Sequence, residues 1–303
     1  MEERLGAIAG LAAAASWAIA SVWYVRVPLG AGAITTCKNT LATVCMFFVL
    51  LVAYFFFDQP LFTVSASAFR DIAISGVIGL GFADIAYFRS IQILGPRRGL
   101  TLTLLTTPAT TLLGQVWLGD RLTVLVWGWI AMTLFGIAVV MLQRSEKNRD
   151  QEIRPGSMHW GVICALFGIA NMAVGSVLLK QGVQDVPPLE ATFIRLLAAS
   201  VFGVVSSFWG SQIAELKEMR GNCIAMRDLC LASLVGTVFG VCLMLIAFKY
   251  CRIGVAATLT STSPLFVIPV VYFAYREKIG PIAIGGAVIA FLGVFGLLMN
   301  ISK

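Results

Sequence analysis

Residues 118–142, LGDRLTVLVWGWIAMTLFGIAVVML, align without a gap on residues 275–299, YREKIGPIAIGGAVIAFLGVFGLLM, at a shift of 157. The alignment sets Asp120-Arg121 on Glu277-Lys278, Gly128 on Gly285 and Gly136 on Gly293. Upstream, TTP (106–108) meets TSP (262–264) at a shift of 156, so one residue has been inserted or lost in between. Further upstream, ITTCKNTLA (34–42) falls at the shift of 157 on the segment that begins at Ala191, which pairs Thr35 and Lys38 with Thr192 and Arg195. A period of half the chain marks a duplicated architecture.

The duplicated unit is built for lipid. The chain is 59% hydrophobic and 12% charged, against about one quarter charged in a soluble domain. Runs of about 20 apolar residues, the length that crosses a bilayer core, lie near 5–25, 33–57, 72–94, 99–118, 122–142, 159–181, 189–209, 229–249, 253–274 and 280–299. Unpaired backbone is too costly in hydrocarbon for any form but helices or a closed barrel, and the alternating pattern of a barrel is missing from these runs. The expected fold is therefore an all-α membrane protein of ten transmembrane helices: a first repeat over 1–142, a hydrophilic linker over 143–158 and a second repeat over 159–303. Five is odd, so the two copies enter the membrane from opposite sides. The result is an inverted repeat about a pseudo-two-fold axis in the membrane plane, the design of many secondary transporters.

Several function classes lose their footing. The net charge of +7 comes from Lys and Arg placed singly or in small groups at span ends, which reads as juxtamembrane charge and not as a nucleic-acid surface. Seven cysteines include no CxxC pair and read as small apolar packing residues. The N-terminal MEERLGAIAGLAAAASWAIA has the apolar run of a signal peptide, but its head carries two acids and one Arg and the run continues to Val25, so it is taken as the first span. The sequence has no phosphate loop, no metal-ligand cluster and no nucleophile with a partner base; its one histidine, His159, opens the sixth span. The expectation is a protein that is not an enzyme, uses no cofactor and partners a lipid bilayer and a small-molecule substrate.

Each repeat thus has a basic residue early in its second helix (Lys38, Arg195), a proline in its fourth (Pro108, Pro264) and an acid followed by a base after it. This pattern resembles the drug/metabolite transporter superfamily, in its EamA-type branch of exporters for amino acids and other metabolites. The resemblance covers essentially the whole chain. It departs at Asp120, where the family's usual residue is Glu, and in the spacing from the proline, 12 residues in the first half and 13 in the second. The resemblance implies a multi-pass protein of the cell (inner) membrane with both termini cytoplasmic. It also implies a central cavity lined by helices one to four and six to nine, with five and ten outside. On the fifth and tenth helices, Gly128 and Gly136, like Gly285 and Gly293, fall on one face. They suit packing within the chain or, as the alternative, a homodimer contact.

An ionisable side chain well inside a span costs roughly 2.5–3.5 kcal/mol on insertion scales and is a functional candidate by default. Lys38, Asp84, Arg89, Lys180 and Arg195 qualify. Lys180 lies near a span end, where it can snorkel. Lys38 and Arg195 sit roughly 8 Å along their helices, from opposite membrane faces, and would offer one cation near each mouth of a cavity. Asp84 and Arg89 point about 140° apart on one helix, so Asp84 needs a base from another helix if it is ion-paired.

The fourth helix carries six threonines in TLTLLTTPATTLLG (101–114). Thr103, Thr106, Thr107, Thr110 and Thr111 share an arc of about 140° with Gly114, and the leucines take the remainder. Such a stripe suits a cavity wall, or helix packing with hydroxyls bonded back to their own backbone. Thr258, Ser261 and Thr262 form the shorter counterpart before Pro264. Trp17, on the first span, suits stacking on a substrate or core packing; Trp23 and Tyr24 read as interfacial-belt residues.

Taken with the resemblance, which implies an exporter of amino acids and other metabolites, these residues favour a secondary transporter that exports amino acids or related carboxylates. Two alternatives stay open: an exchanger of phosphorylated metabolites, if Lys38, Arg89 and Arg195 all face the cavity, and a membrane scaffold or sensor without transport. The orientation signals conflict, since the bases crowd the side opposite to the termini, against the positive-inside tendency.

Overall fold

The computed structural model describes residues 1–57, 64–142, 157–208, 212–219, 221–267, 269 and 280–300. Glu277-Lys278 and most of the 143–158 linker lie outside the described residues. All regular structure among the described residues is helical: α1 (Glu2–Tyr24), α2 (Ala31–Phe57), α3 (Ala66–Leu94), α4 in two segments (Pro96–Thr103 and Thr106–Trp117), α5 (Val124–Leu142), α6 (Ser157–Gly182), α7 (Pro188–Ser207), α8 (Cys223–Tyr250), α9 (Ile253–Val267) and α10 (Pro281–Met299). Eight of them are long and apolar enough to cross a membrane uninterrupted; α4 and α9 are shorter or broken. A further short helix, Gln212–Met219, precedes α8.

The repeat is visible in the local chemistry. Ser65 and Asn222, 157 residues apart, each accept a hydrogen bond from the backbone N–H three residues on and so cap the starts of α3 and α8. Proline opens α4, α7 and α10, where its missing N–H costs nothing. Gly95, at φ 81°, supplies the turn between α3 and α4. α4 breaks at Leu104-Leu105 and α9 at Ser261-Thr262, again 157 apart. Pro108 cannot donate to the carbonyl of Leu104, which accepts instead from Thr107 N–H at 3.3 Å.

Packing runs mainly between the repeats and not within them. α1 lies on α8 and α9, and its equivalent α6 lies on α3 and α4; α2 pairs with α7 and α5 with α10. These contacts come in symmetric sets, as a two-fold relation between the halves requires. Gly6 and Gly10 let α1 approach Tyr250-Cys251 and Leu259 closely. The sequence halves are therefore interlocked, and neither repeat packs as a separate lobe. Large apolar side chains such as Phe48, Phe55, Phe135, Phe291 and Phe295 stay exposed on the outside, where lipid would cover them.

α5 and α10 form the closest pair, and their glycines divide. Gly136 meets the Gly286 carbonyl and Ala290, and Gly293 meets Thr133, whereas Gly128 and Gly285 have nothing within 4 Å. The half of the glycine face expected for either use is thus consumed within the chain. Gly136→Leu should cost about 1–3 kcal/mol and lower the detergent-solubilised protein's thermal midpoint, while Gly128→Leu should leave it unchanged. Asp120 Oδ2 accepts from the Ile253 N–H at 2.8 Å, so the acid after α4 caps the start of α9. Asp120→Ala should cost about 1 kcal/mol in the same melting measurement, and Asp120→Asn much less.

Candidate substrate site

Three of the charged residues expected inside the membrane, Lys38, Asp84 and Arg195, lie on α2, α3 and α7, which pack on one another. Lys38 lies seven residues from the start of α2, about 10 Å deep. Its Nζ donates to Asp84 Oδ2 at 2.6 Å and to Asn39 Oδ1 at 3.1 Å, with both ends of the ion pair nearly buried. The cross-bundle base that Asp84 requires is therefore Lys38. Arg195, at the equivalent depth on α7 but measured from the other face, is 1% exposed. Its Nε and Nη1 have no hydrogen-bond partner among the described residues. Asp84 is near enough to act on it electrostatically. Three charges in one low-dielectric centre leave a net of one positive charge, carried by a guanidinium with unsatisfied donors. An uncompensated ion so placed costs several kcal/mol, which an anionic group would relieve.

The helix that carries Asp84 is shaped for this contact. α3 makes a π-helical turn over Val77–Phe82, closed by the Ala83 N–H on the Ile78 carbonyl, and α8 makes the equivalent turn over Ser233–Phe239. A π-turn inserts a residue and frees a carbonyl. In α3 the Leu80 carbonyl accepts from Asn39 Nδ2 at 2.9 Å, and in α8 the Gly236 carbonyl accepts from Trp17 Nε1 at 2.8 Å. Gly76 and Gly79 bring α3 against Arg195: a Cβ at Gly79 would stand 2.9 Å from Nη2, and one at Gly76 would collide with the Arg195 carbonyl.

The remaining expected site residues are placed as follows. Trp17 packs over Gly236 and Gly240 of α8. Thr107, Thr110 and Thr111, with Gly114, are buried where α4 crosses α9 and α6, so this part of the stripe seals a helix crossing. Thr107 Oγ1 donates to the Ala257 carbonyl at 3.5 Å and Thr111 Oγ1 to the Thr107 carbonyl at 2.7 Å; the buried Thr110 hydroxyl has no partner among the described residues. Thr103 bonds back to Leu100, and Thr106 is half-buried beyond the break. Thr258, Ser261 and Thr262 bond to Gly254, Thr258 and Leu259 carbonyls of their own helix. The backbone thus takes most hydroxyls expected to line an open path. Arg89 is exposed and does not join Lys38 and Arg195. Lys180 does more than snorkel: it donates to the Lys249 and Cys251 carbonyls and so caps the end of α8. Tyr24, read as a belt residue, shares a hydrogen bond with Thr237 at 3.0 Å.

The two faces of the bundle differ. The face where α1 begins carries a cavity of about 480 Å³ lined by Glu3, Asp120, Lys180, Gln184, Arg252 and their neighbours. None of the expected site residues lines it. On the opposite face the short helix Gln212–Met219 sits on the start of α2, with Glu215 Oε2 accepting from the Gly30 N–H at 2.7 Å and Gln212 Oε1 from Thr36 Oγ1 at 3.0 Å. Sequence reasoning passed over two further buried acids, Asp71 and Asp228, each beside an arginine at the start of α3 or α8. The signal was present: FRDIAISG (69–76) and MRDLCLAS (226–233) align without gaps at the same shift of 157.

A family model described as the EamA-like transporter family matches residues 4–142 and again 159–299. A protein of Clostridium kluyveri named "Uncharacterized transporter" is 25% identical over 142 residues, a match that spans 47% of this chain and 44% of that protein. A solved crystal structure superposes over 98% of each chain with a TM-score of 0.73 at 14% identity, a likeness of fold alone. With a match that takes in both repeats, and with eight helices among the described residues long and apolar enough to cross a membrane, the chain is a multi-pass membrane protein that belongs to the EamA-like transporter family.

Proposed function

We propose that this transporter is a secondary carrier that exports small metabolites bearing a carboxylate, such as amino acids and related acids, by alternating access around Lys38, Asp84 and Arg195. The supporting observation is the buried Arg195 guanidinium with unpaired donors beside an ion pair already closed. Among the described residues, one buried cation with unpartnered donors beside a closed ion pair suits one carboxylate. A zwitterion adds an ammonium group that Asp84 can accept, and Trp17 and the half-buried Thr106 remain candidates for contact with its body. A phosphate dianion asks for two free cations; Lys38 is neutralised by Asp84 and Arg89 stands outside the cluster, so the phosphorylated-metabolite reading has less support.

Export accords with the difference between the faces. With both termini cytoplasmic in the cell (inner) membrane, as the resemblance implies, the face that carries the cavity of Glu3, Asp120 and Lys180 is the one from which an exporter loads. The interlocked packing of the halves means that the moving bodies are sets of helices drawn from both repeats.

In proteoliposomes, counterflow of radiolabelled amino acids should saturate and resist added phosphate. Arg195→Ala should weaken apparent affinity about 10- to 100-fold, the worth of a hydrogen-bonded charge, and Arg195→Lys should recover part of it. Exchange that phosphate inhibits would favour the phosphorylated-metabolite reading. Wild-type rates in both Lys38→Ala and Arg195→Ala would remove the pair from the site, and no flux of any solute would leave the scaffold reading. A reporter active only in the cytoplasm, fused after Lys303, should be active; silence would reverse the orientation and make the loading face external.

A further inference from the structure

Lys38 and Arg195 are repeat-equivalent, yet the acid between them has no counterpart, because Val241 stands where the second repeat would place Asp84's mate. One carboxylate therefore serves two cations that approach it from opposite faces. We infer that Asp84 is the positioning residue that selects which cation is free for substrate: it pairs with Lys38 while the N-terminal face is open and with Arg195 while the opposite face is open. This rests on the carboxylate-carrier reading above and assigns Lys38 as the second anion-holding group of the cycle.

The observed state is one half of that exchange. The face on the Lys38 side is covered by the short helix Gln212–Met219, and Lys38 is neutralised by Asp84. The cavity lies on the Arg195 side, and Arg195 is the cation with unpaired donors. The free cation thus belongs to the open side. Reversal about the pseudo-two-fold would free Lys38 when its own side opens. α3 has the means to carry Asp84 across, since it packs on both α2 and α7. The π-turn Val77–Phe82 ends two residues before Asp84, and taking up its extra residue would turn the rest of the helix by about 100°. Gly76, Gly79 and Gly81 keep the sliding surface against Arg195 and Phe202 free of side chains. During translocation two carboxylates would trade places, the substrate's passing from Arg195 to Lys38 as Asp84 passes the other way. Neither cation would be left alone in hydrocarbon at the end of the step.

Hydrogen exchange read by mass spectrometry on the purified, substrate-free protein tests this directly. The Gly30 amide and helix Gln212–Met219 report opening of the covered face, and their exchange follows the population of the opened state. Lys38→Gln should release Asp84 to Arg195 and speed this exchange about tenfold; Arg195→Gln should remove the alternative partner and slow it by about as much, within the usual range of coupling between sites. In an Asp84→Asn background, Arg195→Gln should change nothing. Shifts in the same direction, no shift in Arg195→Gln, or a shift that persists in Asp84→Asn would each overturn the exchange of partners. Should Lys38→Gln not fold, the Arg195→Gln and Asp84→Asn comparison decides alone. Because the readout needs no substrate, opposite shifts with failed amino acid counterflow would remove the carboxylate reading and leave the switch.

Discussion

Hydrocarbon offers a backbone no water, so every peptide group that leaves regular helical bonding must find its partner inside the protein. Four irregular points among the described residues obey that constraint. The π-turns free carbonyls that Asn39 and Trp17 take, the end of α8 gives its carbonyls to Lys180, and the proline break in α4 is closed by Thr107. Asn39 and Lys180 make their contacts within one repeat, whereas Trp17 reaches from the first repeat to the second. Asp120 at the start of α9 is the same device from the opposite repeat.

The central charges follow from the same economy of partners. Asn39 holds the π-turn with its amide nitrogen and the Lys38 ammonium with its oxygen, so the bent segment of α3 and the cation that meets Asp84 are fixed by one side chain. Arg195 is the exception, buried without equal compensation. Thr35, Thr110 and Trp129 also carry a buried polar atom without a partner among the described residues, but at Arg195 two such donors belong to a charged group, which makes it the best indicator of where a solute binds. The glycines at 76 and 79 place α3 against this arginine more closely than any side chain would allow.

Much of the fold was legible in the sequence. Apolar runs and the 157-residue shift marked ten helices and their order, because span length and helical pairing are set by the bilayer and need no tertiary information; they placed the starts of α3 and α8 six residues late, since the first turn of each carries polar and charged residues. Pro108 and Pro264 marked the broken helices for the same local reason. The π-turns were not legible: an inserted residue in a helix leaves no change in composition. The threonine stripe was legible as a polar face but not as a place, since a hydroxyl that bonds its own backbone can sit in a helix crossing as readily as on a cavity wall.

The site divides along the same line. The sequence alone determined which groups are expensive in lipid, and so named Lys38, Asp84 and Arg195. It also fixed Lys38 and Arg195 as equivalents, because the repeat is a property of order along the chain. Only the tertiary structure decided that Asp84 closes on Lys38, that Arg195 keeps free donors, that Arg89 stands apart and that Asp71 and Asp228 are buried. Which charges meet depends on helix rotation and on crossings between repeats, and those are settled by glycine contacts and bent segments far apart in sequence.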